Sequence, residues 1–233
     1  LARRLSVRFG ARAVTLSPAG DALQLDFDDG ETQAWPLRTV TISPRLGSTP
    51  RMLRLGHGYL QSSRLARAVQ PFLQRITSAT GEPAYLAVLD GDEVVTIARN
   101  GPQAALNTGY VLGARVPARL TATGQVLLAA QAPEALDDWL ATTDLAPRTP
   151  FTQTRKARLR QTLASIREQG WALSEQQLAP GQRGVAVPLL DLQGTVVGAL
   201  GVTLLMQGES AAEALARLLP PLQATARAAR HVL

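Results

Sequence analysis

The sequence predicts an α+β protein built on a mostly antiparallel sheet flanked by helices. Three observations carry that prediction. Residues 84–89 and 93–98 are apolar, partly β-branched runs on either side of Asp90-Gly91-Asp92, the pattern of a hairpin with a short loop. A second pair, 184–190 and 196–203, flanks the turn Asp191-Leu192-Gln193-Gly194. Stretches with helical spacing surround and separate these hairpins, at 63–78, 121–132, 133–142, 153–169 and from Ser210 to the C-terminus. Helix, hairpin, helices, hairpin, helix is an α+β order, in contrast to the strict alternation of a parallel sheet.

Along the chain, residues 1–47 read as irregular. Val14-Thr15-Leu16 is short and apolar, and 22–27 alternates apolar and polar residues. Asp28-Asp29-Gly30-Glu31 is a turn signal, with 32–37 as the return strand of a small hairpin. Ser48 or Thr49 before Pro50 is a helix-start signal, and Met52, Leu53, Leu55, Tyr59 and Leu60 follow at helical spacing. This predicts a helix from Thr49 to Leu60. The helix at 63–78 turns Leu65, Val69, Phe72, Leu73 and Ile76 to one face and stops at Gly81. A strand is expected near 104–112, and a short one at 171–174. The chain thus divides into an atypical segment at 1–47, a linking helix at 48–62 and a main domain at 63–233.

Composition excludes several functions. With hydrophobic residues at 45% and aromatics at 4%, the core must consist mainly of Leu, Val, Ile and Ala. No apolar run reaches the roughly 18 to 20 residues of a membrane span. Leu1-Ala2-Arg3-Arg4-Leu5 lacks the apolar centre of a signal peptide. A soluble, cytoplasmic protein with no membrane partner is expected. The absence of cysteine removes disulfides, zinc thiolates and thiol catalysis. His57 and His231 stand far apart with no carboxylate cluster beside either, so neither a metal site nor a nucleophile–base pair is predicted. Ser62, Ser63 and Ser174 have no histidine in a strand–turn–helix setting, and no catalytic constellation or cofactor motif is present.

The formal charge of +6 and an isoelectric point near 10.8 suit a nucleic-acid partner. Lys156 is the sole lysine and the arginines are scattered, which fits a compositional bias equally well.

Thr121-Ala122-Thr123-Gly124 opens the helix that carries Leu127 and Leu128. Such a start is either a plain N-cap or an anion site, because the first amides of a helix lack partners and lie at the positive end of its dipole. Arg115 and Arg183 are each either a bidentate partner for a carboxylate or a member of a structural ion pair. Leu106, Val111 and Leu120 are candidates for apolar lining, and ordinary core is the alternative for each.

Further motifs occur in order from Pro50 nearly to the C-terminus. They are Pro50-Arg51-Met52-Leu53-Arg54-Leu55-Gly56, Gly81-Glu82, Asp90-Gly91-Asp92, Ala98-Arg99 and Gly113-Ala114-Arg115-Val116-Pro117. Thr121, Gly124, Leu127-Leu128-Ala129, Arg167, Gly170-Trp171, Glu175, Pro180-Gly181, Arg183 and Ala186-Val187-Pro188 complete the series. Together they resemble the IclR family of bacterial transcription regulators, in the branch that controls aromatic-acid and β-ketoadipate pathway genes.

The resemblance implies a linker helix and a GAF-like effector domain with a curved sheet. It further implies a small organic acid as effector, operator DNA as partner, assembly as dimers or tetramers, and no enzyme activity. By the same resemblance, the backbone amides of Ala122 and Thr123 hold the effector. Ser174 stands where some members are acidic, and Gly184 where some have cysteine or serine. A glycine at 184 enlarges the pocket, implying an effector longer than a two- or three-carbon acid.

The family's winged helix-turn-helix is not legible at 8–47, which Pro18, Gly20, Gly30 and Pro36 interrupt. An out-of-frame reading of that domain and a truncated chain with a substitute hairpin are the two accounts, and they put DNA binding by this chain in question. An orphan sensor without DNA binding, or a hydrolase using Ser or Thr, are the alternative functions.

Overall fold

The computed structural model describes residues 64–101 and 111–233, together with the backbone of six strands between residues 5 and 54. The chain forms two compact units, Leu1–Ser62 and Ser63–Leu233.

In the first unit, β1 (Leu5–Phe9), β2 (Arg12–Ala19), β3 (Ala22–Phe27) and β4 (Thr32–Pro36) form an antiparallel sheet in sequential order. The hairpin expected at 22–37 is its last half, with Ala22 opposite Pro36 and Asp26 opposite Thr32. The segment is therefore not irregular. β1 went unread because Arg8 and the flanking arginines mask its alternation. A helix running unbroken from Thr49 to Leu60 is also not formed. Leu53–Arg54 is a short strand, β6, paired with β5 (Thr41–Ile42). Apolar spacing over so few residues fits a strand as well as a helix. The remainder of 48–62, His57 included, lies outside the described residues.

The second unit is an α+β domain around six strands in the order β10-β11-β12-β7-β8-β9, every neighbouring pair antiparallel. These are β7 (Ala84–Asp90), β8 (Glu93–Asn100), β9 (Arg115–Pro117), β10 (Ala172–Glu175), β11 (Gln182–Leu190) and β12 (Val196–Leu205). Both predicted hairpins are present, and β12 pairs with β7 to join them into one sheet. Of the strand expected at 104–112, residues 104–110 lie outside the described residues, and Val111 and Leu112 are not in a strand. The strand that completes this edge is β9.

Helices α1 (Arg64–Thr80) and α5 (Ala211–Ala229) cover one face of the sheet. Their Val69, Leu73, Ile76, Leu218 and Leu222 are buried with Leu86, Val185, Val187, Leu200 and Val202, alternate residues of the strands. The other face carries α2 (Ala122–Ala129), α3 (Pro133–Thr142) and α4 (Lys156–Gln169). Local chemistry sets the helix ends. Thr121 caps α2, Pro133 stands at the start of α3, Gly170 ends α4 in a left-handed conformation at φ +75°, and Ser210 with Glu213 forms a capping box on α5. Among the described residues, no helix is long and apolar enough to cross a membrane.

The sheet face beneath α2 is made of small residues: Ala172, Ser174, Gly184, Ala186, Ala199 and Gly201. This lets α2 approach so closely that all eight of its residues are buried. Two glycines make the approach possible. A Cβ on Gly124 would lie 2.0 Å from the Ala118 carbonyl oxygen, and one on Gly201 would lie 2.5 Å from Thr123 Cγ2. Gly184 differs, since a Cβ there would meet nothing nearer than Ala122 Cβ at 3.4 Å.

Substitution should separate the two kinds of glycine. Gly124→Ala collides with backbone and should cost about 3 kcal/mol or more, at the top of the usual overpacking range. Gly184→Ala should leave stability unchanged or raise it by up to about 1 kcal/mol. Denaturant midpoints of the two variants test this, and equal losses would refute it.

Candidate functional site

A narrow cleft, with ≈ 10 Å³ of room inside, lies where the small-residue face meets the start of α2. Its walls are Leu120, Thr121 and Ala122 from the helix start, Ser174 from β10, Arg183 and Gly184 from β11, and Thr203 from β12. The loop after β10 closes it with Gln176, Gln177 and Leu178, joined by Gln182. Strand register explains the floor: Ser174 is opposite Gly184, and Gly184 is opposite Thr203. One row across three strands thus reads hydroxyl, no side chain, hydroxyl, and Ala122 stands over the gap.

Polar groups at the helix start have distinct fates. Thr121 Oγ1 accepts from Gly124 N at 3.1 Å, so the N-cap reading is realised. The cap occupies Gly124 N, and Gln125 N donates to Thr121 O at 2.9 Å. The amides of Ala122 and Thr123 precede the first intrahelical donor and have no partner among the described residues. Ala122 N is 3.8 Å from the point where a Cβ on Gly184 would stand. Both readings of 121–124 therefore hold at once, with the cap using one amide and leaving two. Ser174 Oγ donates to Leu120 O at 3.1 Å, which keeps its lone pairs available.

Several predicted site residues fall elsewhere. Gly124 is a packing glycine against Ala118 and does not line the cleft. The Thr123 side chain is fully buried with its methyl on Gly201, and Thr123 is not among the residues that line the cleft. Arg183 does line the cleft, but its guanidinium is committed. It bonds Glu175 Oε1 at 2.6 and 2.7 Å and the carbonyls of Glu209 and Ser210 at 2.8 and 2.9 Å. It is the structural ion pair of the two alternatives, only 2% exposed.

Arg115 sits on the opposite sheet edge, 46% exposed and paired with Asp90 at 2.7 Å and Glu93 at 2.8 Å. Burial works against its charge, but the bonds to Glu93 and Asp90 outweigh this and raise its pKa. Val111 is 42% exposed and outside the cleft, because the chain there turns at the surface. Leu106 lies outside the described residues. Leu120 is the one of the three proposed apolar residues found in the wall.

Sequence reading missed the wall formed by Gln176, Gln177, Leu178, Gln182 and Thr203. Thr203 was legible in principle, as the only polar residue in the alternating face of β12. The loop glutamines carry no periodic signal. Their position is fixed from afar: Thr149 Oγ1 donates to Gln176 O at 2.6 Å, Thr152 Oγ1 to Gln177 O at 2.8 Å, and Gln177 Nε2 to Phe151 O at 2.8 Å. Arg119 was also overlooked. It is buried, donates to Ala146 O at 2.6 Å, and has its pKa lowered by burial. Among the described residues, no group of His, Cys, Asp or Glu is arranged to hold a metal ion.

Six antiparallel strands lie between a helix pair and a helix triplet, with a helix start over a gap in the sheet. Comparison with known proteins gives the family. The model for the C-terminal domain of the bacterial transcriptional regulator IclR matches residues 57–231, and the chain belongs to the IclR family through that domain. A second model, a domain of unknown function (DUF7092), matches residues 10–76. It takes in Pro50 to Gly56, the segment read above as the start of the family's linker helix.

The Pca regulon regulatory protein of Pseudomonas putida is 37% identical over 185 residues, covering 79% of this chain and 64% of its own length. The chain thus spans under two thirds of that relative. Among solved structures, the inducer-binding domain of the PobR transcription factor from Acinetobacter, a double mutant complexed with 3-hydroxybenzoic acid, is 30% identical. It superposes with a TM-score of 0.68 over 72% of this chain and 98% of that one. An IclR homologue from Microbacterium hydrocarbonoxydans, complexed with 4-hydroxybenzoate, shares the fold at a TM-score of 0.68 and 23% identity, covering 88% of this chain and 77% of that one. The named relatives are transcription regulators and not enzymes.

The two arginines should respond differently. Arg183→Met removes four bonds from a buried guanidinium and frees a half-exposed Glu175, and should cost about 2 kcal/mol. Arg115→Ala breaks exposed pairs and should cost under about 1 kcal/mol. Chemical denaturation of both variants measures the difference, and a larger loss at Arg115 would contradict the assignment.

Proposed function

We propose that residues 63–233 sense a small organic acid and pass its occupancy to transcription. The observation that carries this is the unpartnered first turn of a buried helix, with the Ala122 amide standing over the side-chain gap at Gly184 and the Thr123 amide next to it in the chain. An anion seated there is stabilised by two N–H donors and the helix dipole. The cleft as it stands holds little more than one water, ≈ 10 Å³, against the roughly 300–1,000 Å³ of pockets for drug-sized ligands. Seating an acid there requires the 176–178 loop or the helix start to move outward. The hydroxybenzoates bound by two structural relatives support an aromatic acid.

Because the chain spans part of its relatives, regulation of operator DNA is a proposal for the protein as a whole. Residues 5–36 form a sheet where the family's plan has helices, so DNA reading by this segment has no winged helix-turn-helix behind it. The match at 10–76 supports an in-frame domain in that place, since an out-of-frame translation does not retain a family's pattern. This favours a sensor that reaches DNA through another segment or partner; a cytoplasmic location and assembly as a dimer or tetramer are proposed from the family resemblance alone.

A thermal-shift screen of aromatic and dicarboxylic acids tests the sensor reading. The true effector should raise the melting temperature, with stabilisation of about 2.7 kcal/mol at a hundredfold excess over Kd. Gly184→Ala, which places a methyl between Ala122 and Thr203, should weaken that acid at least about tenfold, the effect of losing one good contact. Stabilisation unaffected by this variant places the site elsewhere. A gel-shift titration at stated salt separates direct DNA binding from an orphan sensor.

A further inference from the structure

We propose that a second ligand site lies at the far end of α2, in a notch between β7 and β12 that takes an uncharged, largely apolar molecule carrying one hydroxyl. The inference is independent of the acid cleft, which stands at the opposite end of the same helix.

The notch follows from how the two hairpins diverge. β7 and β12 pair from Ala84 opposite Val202 to Ala87 opposite Ala199, and pairing stops there. Both strands run further, β7 on to Asp90 and β12 back to Val196. A bulge sits beside each point of departure. The β7–β8 register shifts between Leu86 and Ala87, leaving Ile97 as the extra residue, and the β11–β12 register shifts between Leu189 and Leu190, leaving Val197. Bulges bend strands and increase their local twist, which turns the hairpins apart at their turn ends. Gly198 marks the apex, since a Cβ there would lie 2.9 Å from Leu86 Cδ1 and 3.1 Å from Ala87 O.

Between the diverging strands is a cavity of ≈ 390 Å³, within the roughly 300–1,000 Å³ of small-molecule pockets. Val88, Leu89, Val196 and Val197 give it half-buried apolar sides, and the buried Leu127 of α2 backs it. Ala130, Gln131 and Ala132 on one side and Thr195 on the other form an exposed rim. Apolar walls with a few polar groups at the mouth are the make-up of a small-molecule site. Three strand residues a side are too few to seat an added strand, whose usual length is about five or six.

Charge decides the class of ligand. None of the nine wall residues is charged. The notch lies at the C-terminal end of α2, where the helix dipole is negative and disfavours an acid. A cation is no better served, because Arg167 already occupies this helix end, donating to Ala129 O and Gln131 O at 2.6 Å each. α3 starts beside the rim, but its first residue, Pro133, has no amide proton, and Glu134 answers its positive end. A neutral ligand is what these surroundings accept. The strand backbone released where the ladder stops, with Thr195 and Gln131 at the rim, supplies hydrogen-bond partners for one hydroxyl.

Calorimetric titration of the full chain with 2-naphthol, uncharged at neutral pH, and with 2-naphthoate, the acid of the same ring system, tests the proposal. Saturable binding of 2-naphthol is expected, with 2-naphthoate weaker by about tenfold or more because an unpaired charge is costly to bury. 2-Methoxynaphthalene, which cannot donate, should bind about three- to tenfold more weakly than 2-naphthol. Ala130→Phe and Ala132→Phe each set a ring at the mouth of the notch and should weaken 2-naphthol about tenfold or more. Both positions are exposed, and unliganded melting temperatures of the two variants report folding. Methyl NMR locates the ligand: signals of Val88, Val196 and Val197 should shift, and those of Leu120 and Leu178 in the acid cleft should not. Absence of saturable binding, indifference to both variants, or shifts confined to the cleft overturns the site. Equal affinity for 2-naphthoate overturns the selection for a neutral ligand, and equal affinity for 2-methoxynaphthalene overturns the hydroxyl. If 2-naphthol does not bind and the variants change the oligomeric mass of the chain, the notch seats a second copy and the small-molecule assignment falls. None of these results bears on the acid cleft, so the two readings stand or fall separately.

Discussion

The close seating of α2 on a sheet face without bulk is the constraint from which the rest of the domain follows. A helix with every residue buried is surrounded by protein on all sides. Its start is then held at a fixed height above the strands, as Ala118 against Gly124 and Thr123 against Gly201 show. Interiors are packed at crystal density, so a shift of an ångström at either contact would be felt through the whole layer. The cleft exists because the same small-residue face runs on past the contacts, at Gly184, where the helix start has lifted clear.

That arrangement leaves the cleft without a free cationic side chain among its walls. The nearest arginine, Arg183, is neutralised by Glu175 and tied to two carbonyls, and Arg115 is at the far edge of the sheet. Attraction for an anion must therefore come from amides, the helix dipole and hydroxyls. These are fixed in place and need little reorganisation, which suits a water-poor cleft where dipoles act at low effective dielectric. The net charge of +6 plays little part at this distance, since scattered surface charge is screened over about 10 Å at ordinary ionic strength.

The main domain was legible in the sequence to the extent that its elements carry local signals. Both hairpins announced themselves through Asp90-Gly91-Asp92 and Asp191 to Gly194, and helix ends through Gly81, Pro133, Gly170 and Ser210. Residues 121–124 were found because helix-start chemistry is local. What was not legible depends on long-range placement. No pattern near Arg183 told that Glu175, eight residues earlier, would meet it across a hairpin. The glutamine wall depends on Thr149 and Thr152, some 25 residues upstream, and Thr203 needed the register of three strands. In the first unit, strong turn residues were visible, but arginine-rich strands and a two-residue pairing at Leu53–Arg54 gave too little periodicity to separate strand from helix.

The same long-range ties suggest how occupancy of the cleft could be felt elsewhere in the domain. The loop that closes it, 176–178, is bonded to 149–152, and that segment leads directly into α4. At its other end α4 is bonded back to α2, where Arg167 donates to the carbonyls of Ala129 and Gln131 at 2.6 Å each. Helix start, loop and α4 thus close a ring around the cleft. An acid that displaces the loop on entering would act on both ends of α4 through these bonds. A ligand shifts an equilibrium only by its differential affinity for two arrangements. For an acid in this cleft, that difference would have to come from the walls that enclose it, the loop and the helix start.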